Sequence, residues 1–390
     1  MNHELLIITG EDSGDLYGGN LAREIKKLSP DINISGVGGK QMRSAGVDIF
    51  CDVSEISVVG FWEVIEKLGL IRRLYKQIIE KFDSGNVKGV VLIDYPGFNL
   101  KIAKAAKERD IPVFYYISPQ VWAWRKSRVK TIKKYVDKMM VILPFEKEFY
   151  QREGVDVEFV GHPLLEVIAS NSEAISSSNK KEIYKEFGID DRQIIIGILP
   201  GSRKKEIAYM LPEILKASSL IKGKYPSVQF LLPLSQSIEE DYLKNFITSD
   251  YSYIKIVKGK NYDVMKVSDL LITKSGTSTL EAAIIGTPMI IVYKTSITSY
   301  YLAKALVNVT YAGLPNLLAG KEAAPELLQH KMNAKNIAEK TIYFLEKKDG
   351  LEQMREEFKN IKYSLGEQGA SKRTASIIIN HLKNINIKTH

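Results

Sequence analysis

The chain has 390 residues, 45% of them hydrophobic and 26% charged, with a formal net charge of +9. That length suits two or three domains at roughly 150 residues each, and the composition is that of an ordinary globular protein with ample core. A single cysteine, Cys51, excludes an internal disulfide, and the five dispersed histidines show no zinc-ligand spacing. Apolar runs such as Met139–Leu143 and Ile194–Leu199 fall far short of the ~18 residues of a membrane span. Leu5–Thr9 begins too early and ends too soon for a signal peptide, so a cytoplasmic protein is expected. The positive excess suits phosphate-bearing ligands, nucleic acid or an anionic membrane face without choosing among them.

Leu5–Thr9 reads as a first strand, then an acidic loop (Gly10, Glu11, Asp12, Ser13, Gly14, Asp15), then a helix over 16–28. Strand, glycine-bearing loop and helix are the opening of a doubly wound domain. The loop lacks the G-x-G-x-x-G pattern, and its acids would repel a pyrophosphate. Such a loop suits hydrogen bonding to hydroxyls or taking up a proton, with Glu11 the candidate; Ser13 or Asp15 can instead cap the helix. Ile34–Gly39 runs into a glycine-rich turn. Residues 56–79 form a basic amphipathic segment that packs on a sheet or, alternatively, covers a membrane or acyl chain. Val90–Asp94 is a buried strand with Asp94 at its carboxyl end, where open α/β sheets bind ligands. After strand Val113–Tyr116 come Trp122, Trp124 and Arg125, with further cations following. This combination fits a membrane interface, a phosphorylated lipid or RNA.

The polar, serine-rich run over 171–181 reads as a surface loop near a domain boundary, after which strand–helix alternation restarts. Ile194–Leu199 leads into the turn Pro200-Gly201-Ser202-Arg203, where a guanidinium can neutralise a diphosphate. Further strands follow at 229–233, 254–257 and 270–273. The turn Ser275-Gly276-Thr277-Ser278 opens a helix over 277–285 and offers backbone N–H groups to a phosphate, with Glu281 placed to accept from a ribose. Ser278 and Glu281 also fit a capping box that needs no ligand, and the stretch alone leaves the two readings even. Asn316 is a candidate ligand group or a turn former. From Ala334 the chain reads as helix, broken near Asp349-Gly350 and at 366–369.

ITGEDSGD (8–15), GVGG (36–39), SPQVWAWR (118–125), LPFEKEFY (143–150), FVGHP (159–163), LPGSR (199–203), SGTSTLE (275–281) and GLPNLLAG (313–320) together resemble the lipid-A-disaccharide synthase family, in unbroken order over nearly the whole chain. The resemblance implies a GT-B fold: two doubly wound Rossmann-like domains facing across a cleft, with C-terminal helices. It sets an acceptor-binding domain over 1–165, a UDP-sugar-binding domain over 166–365, and a last helix (366–390) that packs back on the first.

The implied activity is an inverting, metal-independent transfer joining UDP-2,3-diacylglucosamine to 2,3-diacylglucosamine 1-phosphate with release of UDP. No cofactor and no nucleic-acid partner are expected, and peripheral association with the cytoplasmic face of the inner membrane is. Whether the protein forms an oligomer is left open. Matched by motif, Asp94 and Glu11 correspond to important carboxylates, Arg203 and Asn316 to polar residues of the cleft, and Ser275–Glu281 to nucleotide-binding positions. Ser13, Ser202, Trp122 and Arg125 complete the candidate substrate-binding set. The chain departs from the family where Gly97 replaces a second acid and where Asp12 adds a charge. The alternatives are another UDP-sugar enzyme of this fold (a peptidoglycan glycosyltransferase or a UDP-N-acetylglucosamine 2-epimerase) and a nucleic-acid-binding module.

Single displacement at an anomeric carbon needs a base beside the attacking hydroxyl and stabilisation of the departing phosphate. No Asp-x-Asp pair occurs in the sequence. Arg203 and the helix start at Ser275–Ser278 are therefore expected to hold UDP, with Asp94 or Glu11 deprotonating the acceptor.

Overall fold

The computed structural model describes residues 4–56, 68–123, 127–176, 180–235, 238–298, 300, 304 and 309–388. The chain divides into two compact units, one of residues 1–163 with 365–390, the other of residues 164–364.

The first unit is built on β1 (Glu4–Ile8), β2 (Asn33–Gly38), β3 (Asp48–Asp52), β4 (Val87–Ile93), β5 (Val113–Tyr116), β6 (Lys138–Val141) and β7 (Val157–Phe159). All pair in parallel in the order β3-β2-β1-β4-β5-β6-β7. Strands covered by helices on both faces must be apolar on both, and Leu5 to Ile8 and Val90 to Ile93 are each fully buried. The second unit repeats the plan with β8 (Ile195–Leu199), β9 (Gln229–Leu234), β10 (Ile254–Lys258), β11 (Leu270–Lys274), β12 (Met289–Tyr293) and β13 (Glu326–Leu328), in the order β10-β9-β8-β11-β12-β13. In each sheet the chain winds outward from the first strand, then returns to its other side. The loops after β1 and β4, and after β8 and β11, therefore diverge at the sheet's carboxyl edge and leave a crevice there.

The chain leaves the first unit and re-enters it beside itself. His162 N–H donates to the Leu365 carbonyl at 3.0 Å. Arg373 clasps this junction, donating to the carbonyls of Val160, Gln368 and Glu367 at 2.9, 2.8 and 2.6 Å. The last helix, Ala370–Lys388, lies against helix Asp12–Leu28, and its His381 meets Phe114 edge-on.

Several boundaries differ from the sequence reading. Helix Asp12–Leu28 starts four residues early, so the acidic loop is mostly its first turn, where Asp12 and Asp15 suit the dipole. The serine-rich run is helical through Ser176, as the end of helix Leu164–Ser176, and again from Lys180. The C-terminal break falls at Lys347, and Gly350 lies inside helix Lys348–Ser364. Helix Leu68–Asp83 buries Leu74, Ile78 and Phe82 within the first unit's core, as the packing reading expects; residues 57–67 lie outside the described residues.

Candidate active site

In the first unit, β1 and β4 deliver Glu11 and Asp94 to the same crevice. Asp94 and Tyr95 both adopt left-handed backbone, with φ of 46° and 47°. Two consecutive non-glycine residues there cost roughly 1–3 kcal/mol each, and persist only where the surroundings enforce them. The enforcement is visible. Asn99, fully buried on the following helix, donates its side-chain amide to the carbonyls of Ile93 (3.2 Å) and Asp94 (2.8 Å). The Tyr115 hydroxyl also donates to the Asp94 carbonyl, at 2.5 Å. From the other side the Tyr95 ring lies flat on Gly10, so closely that a β-carbon at Gly10 would sit 2.2 Å from it. The two loops are thereby locked together.

Asp94 is exposed as a residue, while its carboxyl group sits close enough to protein atoms to lose part of its hydration. Loss of hydration pushes its pKa up from 3.8 to about 6, and the Glu11 charge adds to the push, against one backbone hydrogen bond. A carboxylate tuned in this way is a proton acceptor near neutral pH. Glu11 and Ser13 are exposed, and Glu11 occupies the N-cap of helix Asp12–Leu28 without capping it. Asp15 has a structural task. Buried, it accepts from the N–H groups of Gly39, Gln41 and Met42 at 2.6, 2.9 and 3.0 Å, closing the turn after β2.

In the second unit, the loops after β8 and β11 bring Arg203, Ser202 and the 275–278 turn to the corresponding crevice. Gly201 has φ of 116°, which glycine alone adopts easily, and Ser202 and Arg203 beyond it are exposed. Gly276 is the N-cap of helix Thr277–Ile285 and has no side chain to close the first turn. The amides of Thr277 and Ser278 therefore lack an intrahelical acceptor. The capping box does not form: the Ser278 hydroxyl donates back to the Lys274 carbonyl at 3.2 Å, and Glu281 accepts from the Tyr262 hydroxyl at 2.8 Å. Burial raises the Glu281 pKa, and the Tyr262 bond opposes it. The Ser275 hydroxyl donates to the Ala312 carbonyl at 2.7 Å, fixing the turn to the loop before Leu314.

Two candidates have internal work in this structure. Asn316, fully buried, donates to the Ala324 carbonyl (2.7 Å) and Glu326 Oε1 (2.8 Å) and accepts from Ala324 N–H (2.8 Å). Glu326 in turn accepts from the N–H groups of Ala312 and Gly313, both at 2.9 Å. Asn316 thus supports the loop that holds Ser275. The Trp122 indole N–H donates to Glu146 at 3.1 Å, and its ring meets Phe145 edge-on at 5.0 Å, so its polar edge faces inward. Glu146 is buried with no cation beside it among the described residues, and desolvation pushes its pKa up to about 7 against its hydrogen bonds. Arg125 and Trp124 lie outside the described residues. Among the described residues no cluster of three His, Cys, Asp or Glu could hold a metal ion. No described helix is long and apolar enough to cross a membrane.

Sequence reasoning missed Tyr95, Asn99, Glu206, Lys274 and Glu326. Glu206 had one signal, its position three residues after Arg203 at a helix start; the others act through contacts that sequence spacing does not reveal.

Two parallel sheets of this order, each with polar residues at its crevice, are the two Rossmann-like domains of a GT-B fold. Solved structures of that fold resemble the chain throughout. A UDP-GlcNAc 2-epimerase from Neisseria meningitidis bound to UDP-GlcNAc superimposes with a TM-score of 0.68, covering 97% of this chain and 100% of its own at 15% identity. A ugt transferase from Siraitia grosvenorii in complex with UDP gives 0.59, covering 98% and 100% at 12% identity. Likeness at such identity speaks for the fold alone.

The sequence is more specific. A family profile described as lipid-A-disaccharide synthetase matches residues 5–380. The lipid-A-disaccharide synthase of Syntrophus aciditrophicus is 41% identical over 385 residues, 98% of this chain and 99% of the relative. That of Geobacter sulfurreducens is 40% identical over 381 residues, 98% of each. The chain belongs to the lipid-A-disaccharide synthase family and is a glycosyltransferase.

Proposed function

We propose that this protein joins UDP-2,3-diacylglucosamine to 2,3-diacylglucosamine 1-phosphate, with the first unit activating the acceptor and the second holding the nucleotide. The observation that carries the division of labour is the contrast between the two crevices. One presents a carboxylate whose pKa is pushed up to about 6. The other presents an exposed guanidinium and an uncapped helix start.

Asp94 takes the proton of the acceptor hydroxyl, whose oxygen forms the new bond to the anomeric carbon. The bond from that carbon to the diphosphate oxygen breaks on the opposite face, UDP leaves, and configuration inverts. Arg203 and the amides of Thr277 and Ser278 receive the charge that develops on the diphosphate, so stabilisation grows as the bond breaks. Glu281 faces the ribose, and Ser13 and Ser202 contact sugar or phosphate oxygens. Glu11 raises the basicity of Asp94. Asn316 acts through the Ser275 loop. Trp122 and Arg125, with the protein's positive charge, meet the lipid substrates at the cytoplasmic face of the inner membrane, and nucleic acid is not a partner.

The test is turnover of the purified protein on both lipid substrates in mixed micelles, following UDP and the tetraacyl disaccharide 1-phosphate. One UDP per disaccharide is expected, unchanged by chelator. UDP release that needs no acceptor, or epimerisation of free UDP-N-acetylglucosamine, would reject the reading.

A further inference from the structure

Glu206 lies between two cations. Its Oε1 stands 3.0 Å from Lys274 Nζ and 3.6 Å from Arg203 Nη1, while its Oε2 is buried with no partner. Lys274 is the last residue of β11, and Arg203 is the N-cap of helix Lys204–Lys224 after β8. The carboxylate therefore spans the two diverging loops of the second unit. It is packed behind Gly201, where a β-carbon would come within 2.5 Å of Oε2. The Lys274 side chain is only 19% exposed, and its ammonium passes over the next loop: a β-carbon on Gly276 would lie 3.1 Å from Nζ.

The charge arrangement is the reverse of what helices prefer. A helix start favours anions, yet Lys274 reaches over one start and Arg203, Lys204 and Lys205 stand at the other. Two cations share one carboxylate, so a positive charge remains beside two helix starts. A pair that served only to brace the loops would need one cation, and would leave its carboxylate better satisfied. The excess is offset when an anion occupies the turn.

We propose that Lys274 is a second diphosphate-binding cation, held by Glu206 over the Gly276 turn so that it and Arg203 grip the anion from opposite loops. Glu206 is the positioning residue for the pair. The inference rests on the donor site assigned to the second unit, and adds a residue to it. Lys274 is a point charge with three rotatable donors and needs only a short swing to exchange a carboxylate oxygen for a phosphate oxygen.

The experiment is titration calorimetry of the full chain with UDP and with uridine, for the wild type, Lys274→Met and Lys274→Arg. Loss of one charge-assisted contact should weaken UDP binding by about 10- to 100-fold in Lys274→Met. Uridine, which has no phosphate, should bind both proteins within about twofold, and Lys274→Arg should keep UDP affinity within about fivefold because the charge is retained. UDP binding to Lys274→Met within about twofold of wild type would overturn the assignment while leaving the donor site intact. Equal loss of uridine and UDP would overturn it too, since the lysine would then act through loop structure. A wild type that binds no UDP would remove the donor site itself, and the role of the lysine with it.

Discussion

Replacing Gly10 with alanine tests whether the lock between the β1 and β4 loops sets the position of the base. Gly10 has no left-handed backbone requirement, so alanine costs nothing in φ; the cost is steric. The new β-carbon would meet the Tyr95 ring at 2.2 Å. An ordinary carbon contact lies near ~3.6 Å, so the ring must retreat by about 1.4 Å. Tyr95 cannot retreat alone, because its neighbour Asp94 is pinned through its carbonyl by Asn99 and Tyr115. The displacement therefore passes into the Asp94 turn. Misplacement of a catalytic group by ~1 Å costs about 100-fold in rate, and overpacking costs about 1–3 kcal/mol in stability. Steady-state turnover on the two lipid substrates should show kcat down by about 100-fold, while calorimetry shows UDP affinity unchanged. Turnover within about threefold of wild type, or a parallel loss of UDP binding, would refute the argument that this contact positions the base.

Four further outcomes are expected. Wild-type kcat/KM should fall on the acid side with a midpoint near the Asp94 pKa of about 6, since protonation below it removes the base form. Glu11→Gln should move that midpoint to lower pH, because it removes a charge that raises the pKa; a loss of about 10²–10⁴-fold at pH ~8 would instead make Glu11 the base. Asp94 binds its proton more tightly folded than unfolded, so its contribution to stability is present below about 3.8 and is lost as pH rises through about 6. Asp94→Asn should accordingly melt above wild type at pH ~8, with the gap closing by pH ~4, in thermal scans. Asn316→Ala should lower Tm, at about 1–3 kcal/mol for each buried partner left unpaired, and weaken UDP binding through the Ser275 loop; an unchanged Tm would contradict the internal role seen for this amide.

The regular parts of the fold were legible in the sequence because their physics is local. Leu270–Lys274, Thr277–Ile285 and Met289–Tyr293 alternate a buried strand, a helix ended by left-handed Gly286 and a second strand, and each has its own signal. The short strands β3, β7 and β13 carry no such signal: at three to five residues on outer positions, pairing with a neighbour makes them strands. At the site, Asp94 could be read from its place at a strand's end, whereas the left-handed pair at 94 and 95 could not. Its causes lie at Gly10, Asn99 and Tyr115. Asn316 read as a ligand group because its motif is polar among apolar neighbours. Its amide is consumed by Ala324 and Glu326, partners that spacing alone does not reveal. Ser278 and Glu281 fit a capping box by spacing and part ways once Tyr262 competes for the carboxylate.

The most direct test of the account is turnover of Asp94→Asn at pH ~8 together with its UDP affinity. The account predicts a fall in kcat of about 10²–10⁴-fold, with UDP bound as tightly as by the wild type, because it assigns the base to one unit and the nucleotide site to the other. Near-normal turnover, or UDP binding lost in step with activity, would contradict it.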